Sequence, residues 1–322
     1  MRAVQVVRLE GPSGVDVVDV PEPTPADDQV VIDVHALGIS FPDLLLSAGQ
    51  YQLKPDPPFT LGVDFAGVVR SAPADSGLAS GDRVAACLPY GGGADVVAMG
   101  PDTVFPLPDG FSFEQGAAMP MNYLTAQFAL AVRGDLTAGE TVLVHGAAGG
   151  VGSACIQVAK GYGARAIAVV STEEKAEVAR AAGADDVVLL DGFLASVKEL
   201  TDGKGVDIVV DVVGGDIVTD SLRSLAEQGR LLVIGFTAGE IPTVKVNRLL
   251  LNNIDVRGVG WGAYAMMRPG YCRKQWDELL PMIGSGVVAP PIGATYPLEQ
   301  VREALTGMAE RRTKGKTVLT LR

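Results

Sequence analysis

Hydrophobic and polar positions along this chain follow two rhythms. Up to about residue 121, short apolar stretches alternate with polar positions and are broken by Gly and Pro. Strands are predicted at 30–37, 67–70, 82–86 and 94–98, and the alternating start MRAVQVVRLE also reads as a strand. Two proline runs, Pro21/Pro23/Pro25 and Pro55/Pro57/Pro58, mark loops. From about Asn122 the rhythm changes. A helix is predicted at 123–132. Strands at 141–145, 166–170, 186–190, 206–212 and 230–234 then alternate with helices at 151–162, 173–182, 193–200 and 219–226. The paired Val and Ile in these strands suit burial on both faces, as in a parallel sheet covered by helices. After 260 the pattern is mixed, with helices near 272–282 and 298–310 and a closing strand at 317–321. A last strand after so much α/β texture implies a return to the first domain. The fold class that follows is α/β. A β domain is expected at 1–121, a Rossmann-type doubly wound parallel sheet at 122–260, and the return over 261–322.

Composition narrows the function. A chain of 322 residues suits two domains. Acidic residues outnumber basic ones by 38 to 26, a net charge of -12, which argues against a general nucleic-acid binder. Hydrophobic content of 48% with 20% charged residues fits a packed protein. No apolar run approaches the roughly 20 residues that span a bilayer, and no targeting segment is visible, so a cytoplasmic protein without a membrane partner is expected. The three Cys (87, 155, 272) form no CxxC, which fits a reducing compartment. With only two His, His35 and His145, a zinc site would need nearly every scarce ligand to converge. His35 is expected as a strand residue, His145 at a strand–loop junction, and Cys155 in packing. No G-x-S-x-G elbow occurs. Gly315-Lys316-Thr317 resembles the end of a P-loop, but Glu310 stands where its upstream Gly must be. The basic run 311–316 reads as a solvated face.

The sharpest local signal is TVLVHGAAGGVGS at 141–153. A buried strand runs into a glycine-rich turn, and a helix rich in Ala, Ile and Val follows. Ala147, Gly149 and Gly152 occupy the three small positions of a GxGxxG pattern, with Ala in the first. Small residues let the backbone approach a pyrophosphate, and the helix N-terminus supplies N–H donors and the positive end of its dipole. An NAD site usually carries an acid at the end of the second strand, to bond the ribose 2′-hydroxyl. Here Ser171 stands at that end, and Lys175 is one helical turn on, so both can meet a 2′-phosphate. Glu173 and Glu174 compete for a ribose hydroxyl, but Ser171-x-x-Glu174 also matches a capping box, and acids favour a helix start. The balance favours NADPH.

The loop GAAGGVG at 146–152, followed by Ala159-Lys160 and Gly163-Ala164, resembles the medium-chain dehydrogenase/reductase superfamily. GISFPD at 38–43, GQY at 49–51, PFTLG at 58–62, DFAGV at 64–68, GDRV at 81–84, NYLT at 122–125, GRLLVIG at 229–235 and GKTVL at 315–319 resemble its zinc-free quinone oxidoreductase branch (zeta-crystallin-like). These motifs lie in family order over essentially the whole chain. The resemblance implies a GroES-like β domain made from both chain ends, an inserted Rossmann domain, an active-site cleft between them and, usually, a homodimer. It further implies that Thr125 contacts the nicotinamide–ribose region and that Gly149, Gly150 and Val151 hold the pyrophosphate. Val213, Gly235, Phe236 and Gly262 would line the ribose and nicotinamide, and Lys316 would lie near the cofactor.

In the zinc alcohol dehydrogenases of the superfamily, a Cys lies where Ser40 stands, and a Gly-His-Glu motif lies where Gly62-Val63-Asp64 stands. Ser40 is a poor zinc ligand, Val63 is none, and Asp64 alone cannot serve a site that needs three protein ligands. The expected chemistry is therefore hydride donation from NADPH to a quinone or enone without metal. Tyr51 is the candidate for bonding the acceptor oxygen, with Ser40 and Asn122 as alternatives. An enoyl or 2-alkenal reductase would use the same hydride. A non-enzymatic NADPH-binding protein is the alternative of another class.

Overall fold

The computed structural model describes residues 1–322. The chain divides into two compact units. The first comprises Met1–Met121, Cys272–Trp276 and Ile292–Arg322, and the second Asn122–Tyr271 and Asp277–Pro291. The segment after Gly260 is thus shared between the units instead of returning as one block.

The first unit is built on a seven-stranded sheet. Its order is Ile292–Pro297, Lys316–Thr320, Val30–Ile39, Asp64–Ser71, Arg83–Cys87 and Val104–Pro106, with Val96–Met99 also pairing Val30–Ile39. All neighbours are antiparallel except the pair Ile292–Pro297 and Lys316–Thr320. A smaller sheet joins Val15–Asp19, Arg2–Val6 and Phe59–Thr60. Val30–Ile39 is buried at all but two of its ten positions, because strands flank it and side chains cover both faces. Ile32, Leu37, Phe65 and Leu319 lie in its core. The closing strand places Lys316 one residue from the Thr317–Ile39 pair, while Asp64 lies opposite Gly38. Three strands from distant parts of the chain therefore bring Ser40, Asp64 and Lys316 to one end of the sheet.

The second unit is a six-stranded parallel sheet ordered Asp186–Leu189, Arg165–Val170, Thr141–His145, Val206–Asp211, Leu225–Val233 and Asp255–Gly258. Numbered along the chain this is 3-2-1-4-5-6, the doubly wound order. Thr141–His145 is buried at four of five positions and the helix Gly150–Gly161 at eight of twelve, as the apolar sequences require. The order reverses between Thr141–His145 and Val206–Asp211. Ligands of doubly wound sheets bind outside the carboxyl ends of the strands at such a reversal.

Two local expectations are corrected. The helix predicted at 123–132 is an α-helix over Pro120–Gln127 that widens into a π-helix over Phe128–Arg133, where the Gly134 N–H reaches back to the Ala129 carbonyl at 2.7 Å. The helix after Arg165–Val170 is capped by Thr172, not Ser171. Thr172 Oγ1 accepts from the Lys175 N–H at 3.3 Å, and the chain is still extended at Thr172. The Ser171-x-x-Glu174 spacing was one residue out of register.

Candidate functional site

In the second unit, the candidate cofactor residues collect around the carboxyl ends of the central strands. Gly146 turns the chain out of Thr141–His145 with φ +63°. Gly152 lies so close behind it that an added Cβ would stand 2.2 Å from the Gly146 carbonyl oxygen. Only glycine lets the helix close onto this turn. Gly149 is the N-cap of Gly150–Gly161 and makes no side-chain cap bond, and no acid lies in the helix's first turn. A helix N-terminus of this kind has the N–H groups and the dipole end that suit an anion. A Cβ at Gly150 would stand 2.6 Å from Asn122 Nδ2, so the buried Asn122 packs directly on the loop. Thr125 is buried one turn further along Pro120–Gln127.

The next strand ends gather a second group. Asp211 Oδ1 accepts from the N–H groups of Val213 at 2.7 Å and Gly214 at 2.9 Å, which fixes the turn after Val206–Asp211. The Thr237 and Ala238 N–H groups bond the Val212 and Val213 carbonyls. A Cβ on Gly214 would come 2.9 Å from Phe236 Cδ1. Val213, Gly235 and Phe236 are thereby brought together, and Gly262 lies in the short helix Trp261–Ala265. Asp211 is the organiser that the sequence reading passed over. Its Oδ2 is buried without a partner, and burial raises its pKa.

At the end of Arg165–Val170, Lys175 Nζ donates to Ser171 Oγ at 3.3 Å; Ser171 is exposed and Lys175 half-buried. Glu173 is turned toward Arg180, whose Nη2 lies 2.8 Å from its Oε1. The Ser171 hydroxyl and the Lys175 ammonium are in contact with each other.

His145 closes the strand before the glycine turn and is fully buried. Its Nε2 shares a 2.9 Å hydrogen bond with Ser221 Oγ, Nδ1 has no partner, and Phe193 stands edge-on at 4.9 Å. Burial pushes its pKa down to about 4. The ring is neutral and structural.

In the first unit, the candidate residues form a buried charged cluster. Lys316 Nζ donates to Asp64 Oδ2 at 2.7 Å and to Ser40 Oγ at 2.6 Å, and Ser40 Oγ donates to Asp64 Oδ2 at 2.8 Å. Asp64 Oδ1 accepts from the Met121 N–H at 2.8 Å. Lys316 was expected near the cofactor; its ammonium is engaged with Asp64 and Ser40. Asp43 lies alongside, fully buried, accepting from the Ser40 N–H at 2.8 Å and the Gly62 N–H at 3.0 Å. Burial pushes its pKa up to about 7, against the opposing pull of those N–H groups and of Lys316. Tyr51 is half-buried, and desolvation together with the Asp43 charge raises its phenol pKa. Burial likewise raises the Cys87 thiol, and pushes Cys155 to about 12 and Cys272 to about 11. No group of three or more His, Cys, Asp or Glu side chains is placed to hold a metal ion.

Sequence comparison now adds to this geometry. Residues 26–127 match the family described as alcohol dehydrogenase GroES-like domain, and residues 150–284 match the family described as zinc-binding dehydrogenase. Quinone oxidoreductase-like protein 2 of Rattus norvegicus is 39% identical over 305 residues, 93% of this chain and 87% of the relative. A probable oxidoreductase from Mycobacterium abscessus is 44% identical with a TM-score of 0.92, covering 100% of this chain and 99% of that one. The Escherichia coli quinone oxidoreductase, solved in complex with NADPH, is 29% identical with a TM-score of 0.90 and full coverage (100%) of both chains.

Proposed function

Because the chain belongs to the quinone oxidoreductase branch of the medium-chain dehydrogenase/reductase family, we propose that it is an NADPH-dependent oxidoreductase. In this reading it reduces a quinone or a similar activated carbonyl acceptor without zinc. The observation that carries the reading is the cradle behind Thr141–His145. It combines a helix N-terminus whose N-cap is a glycine with a turn in which a Cβ at Gly152 would strike the Gly146 carbonyl at 2.2 Å. Such a site fits a pyrophosphate. Ser171 and Lys175, in contact at 3.3 Å, fit the 2′-phosphate that distinguishes NADPH from NADH. Glu173, the competing ribose ligand, is engaged by Arg180.

When bound, NADPH supplies the two electrons as hydride. The chain's own residues bind and orient. Gly149, Gly150 and Val151 present backbone to the pyrophosphate, while Thr125, Val213, Gly235, Phe236 and Gly262 line the ribose and nicotinamide. Such orientation is worth up to about 7–11 kcal/mol in favourable systems. Burial and Asp43 keep the Tyr51 phenol protonated, so it can donate to an acceptor oxygen. The Ser40 proton is committed to Asp64, and Asn122 packs on the glycine loop; both support the site more than they donate to it.

The zinc-free part rests on donor chemistry. Asp64 is paired with Lys316, Ser40 and Val63 bring no good ligand, and the thiols are held protonated. Metal analysis finding one zinc per chain in purified protein would refute it. A homodimer is supported by the unpaired outer edge of Asp255–Gly258 and by the exposed Leu250 and Leu251 on the preceding helix. Sedimentation velocity tests this. No helix is long and apolar enough to cross a membrane. The three free, buried cysteines fit a cytoplasmic location.

Steady-state NADPH oxidation with a panel of quinones, 2-alkenals and enoyl thioesters tests the activity. Quinones are expected to give the highest kcat/KM. Preference for the alkenals or thioesters would make it an ene reductase. Tight NADPH binding with no turnover of any acceptor would make it a binding protein.

A further inference from the structure

A buried ammonium is costly unless its donors are satisfied. Lys316 is only 4% exposed and has three N–H bonds. Two meet Asp64 Oδ2 and Ser40 Oγ, at 2.7 Å and 2.6 Å. The third has no protein acceptor. The arrangement is built for this lysine. A Cβ on Gly38 would stand 2.8 Å from Lys316 Cε and 1.9 Å from the Ala117 carbonyl oxygen, so glycine clears the path of its stem. Asp64 is fixed from behind by the Met121 N–H. Asp43 fixes the Ser40 backbone from the other side. A hydroxyl and a carboxylate thus surround a cation carried by the protein itself.

We propose that Lys316 is the electrophile of the reaction, its third N–H hydrogen-bonding the acceptor oxygen and stabilising the negative charge that develops there on reduction. Asp64 and Ser40 are positioning residues that hold the ammonium in place. The acceptor gains a hydride from NADPH, its oxygen becomes anionic, and water supplies the proton that completes the hydroquinone. A preorganised donor aimed at a developing oxyanion is worth about 100- to 1000-fold in kcat.

The inference rests on the reading of the protein as a quinone reductase, and its test separates the two. Lys316→Met would strand the buried Asp64 carboxylate, so the working variant is Lys316→Met/Asp64→Asn, checked for folding by its thermal transition. With a benzoquinone acceptor, kcat is expected to fall about 100-fold. The NADPH dissociation constant, read by fluorescence, should stay within about twofold. A second arm uses protein without NADPH and 4-nitrophenol as probe. The wild type should bind the phenolate and raise its absorbance at a pH where the free phenol is largely protonated; the double variant should not. Phenolate binding by the wild type without turnover of any acceptor would refute the quinone-reductase reading and uphold the anion-stabilising role of Lys316. A folded double variant that kept kcat within about threefold, or that bound the phenolate as the wild type does, would overturn the proposal. So would a wild type that bound no phenolate.

Discussion

The two sheet ends that carry the candidate chemistry are made of different material. In the second unit the site is almost all backbone: a contiguous stretch from His145 to Gly152 in which glycines make room and a helix end offers N–H groups. In the first unit the chemistry is in side chains, a lysine, two aspartates and a serine, with Lys316 bonded to partners 252 and 276 residues away. The backbone site holds no buried charge, and even its histidine is kept uncharged. The side-chain site depends on charges that compensate one another in a buried place. The two should fail in different ways when disturbed.

The largest effect is expected where a buried charge loses its partner. Asp64→Ala leaves the Lys316 ammonium without its carboxylate, which should cost about 3–5 kcal/mol of stability. Urea unfolding measures it. The double change Asp64→Asn/Lys316→Met should recover most of that loss, because both charges leave together. If the single and double variants were equally unstable, the pair would be no more than packing.

That contrast also explains what could be read from the sequence. The Rossmann unit was legible because its signals are local: strand, glycine turn and helix follow within thirteen residues at 141–153. Thr141–His145 and Phe193–Leu200 fall where the apolar pattern places them. The charged cluster's members lie in separate motifs at 38–43, 64–68 and 315–319, and nothing local shows that they meet. Lys316 looks like the end of a basic run, and Asp64 looks like one acid before an apolar strand. Only the register that sets Thr317 against Ile39 and Gly38 against Asp64 joins them. The short helices Phe41–Ser47 and Phe113–Ala117 were missed for a related reason, being too brief for a 3.6-residue period to show. Asp211 was passed over because its role is to hold its own backbone turn.

The next effect probes the neutral side of the comparison. His145 titrates near 4 when folded and near 6.5 when free, so the unfolded chain takes up the proton more readily. Stability from this group is complete above about pH 6.5 and is lost as pH falls toward 4. The whole loss is about 3 kcal/mol at about 1.4 kcal/mol per unit. Unfolding free energies measured across that range should rise with pH in the wild type, and His145→Gln should flatten the slope by close to one proton. An unchanged slope would place the titration elsewhere.

A smaller effect tests the close approach in the glycine turn. Gly152→Ala sets a Cβ 2.2 Å from the Gly146 carbonyl, backbone against backbone, so neither side can yield by a rotamer change. The strain should be about 1–3 kcal/mol. Because the displaced element is the helix N-terminus, NADPH affinity should weaken about tenfold or more, while the first unit's cluster is untouched. Gly149→Ala is the control. Its Cβ would meet only the Gly146 oxygen, at 3.3 Å, and should weaken binding less.

The smallest effect is the most selective. Lys175 is half-buried, and its bond to Ser171 is a surface contact, which by itself contributes little to stability. Opposite a 2′-phosphate it gains a charge-assisted partner. Lys175→Ala should therefore weaken NADPH by about tenfold, or about 1.4 kcal/mol, and NADH by less than about twofold. Titration of each nucleotide by fluorescence gives both numbers. The NADPH penalty should shrink as salt is raised, since the contact is solvent-exposed and screened. Equal losses for the two nucleotides would show that Lys175 acts on the helix start it shares with Thr172. The second unit would then bind its cofactor by backbone alone, and the division between a backbone site and a side-chain site would be complete.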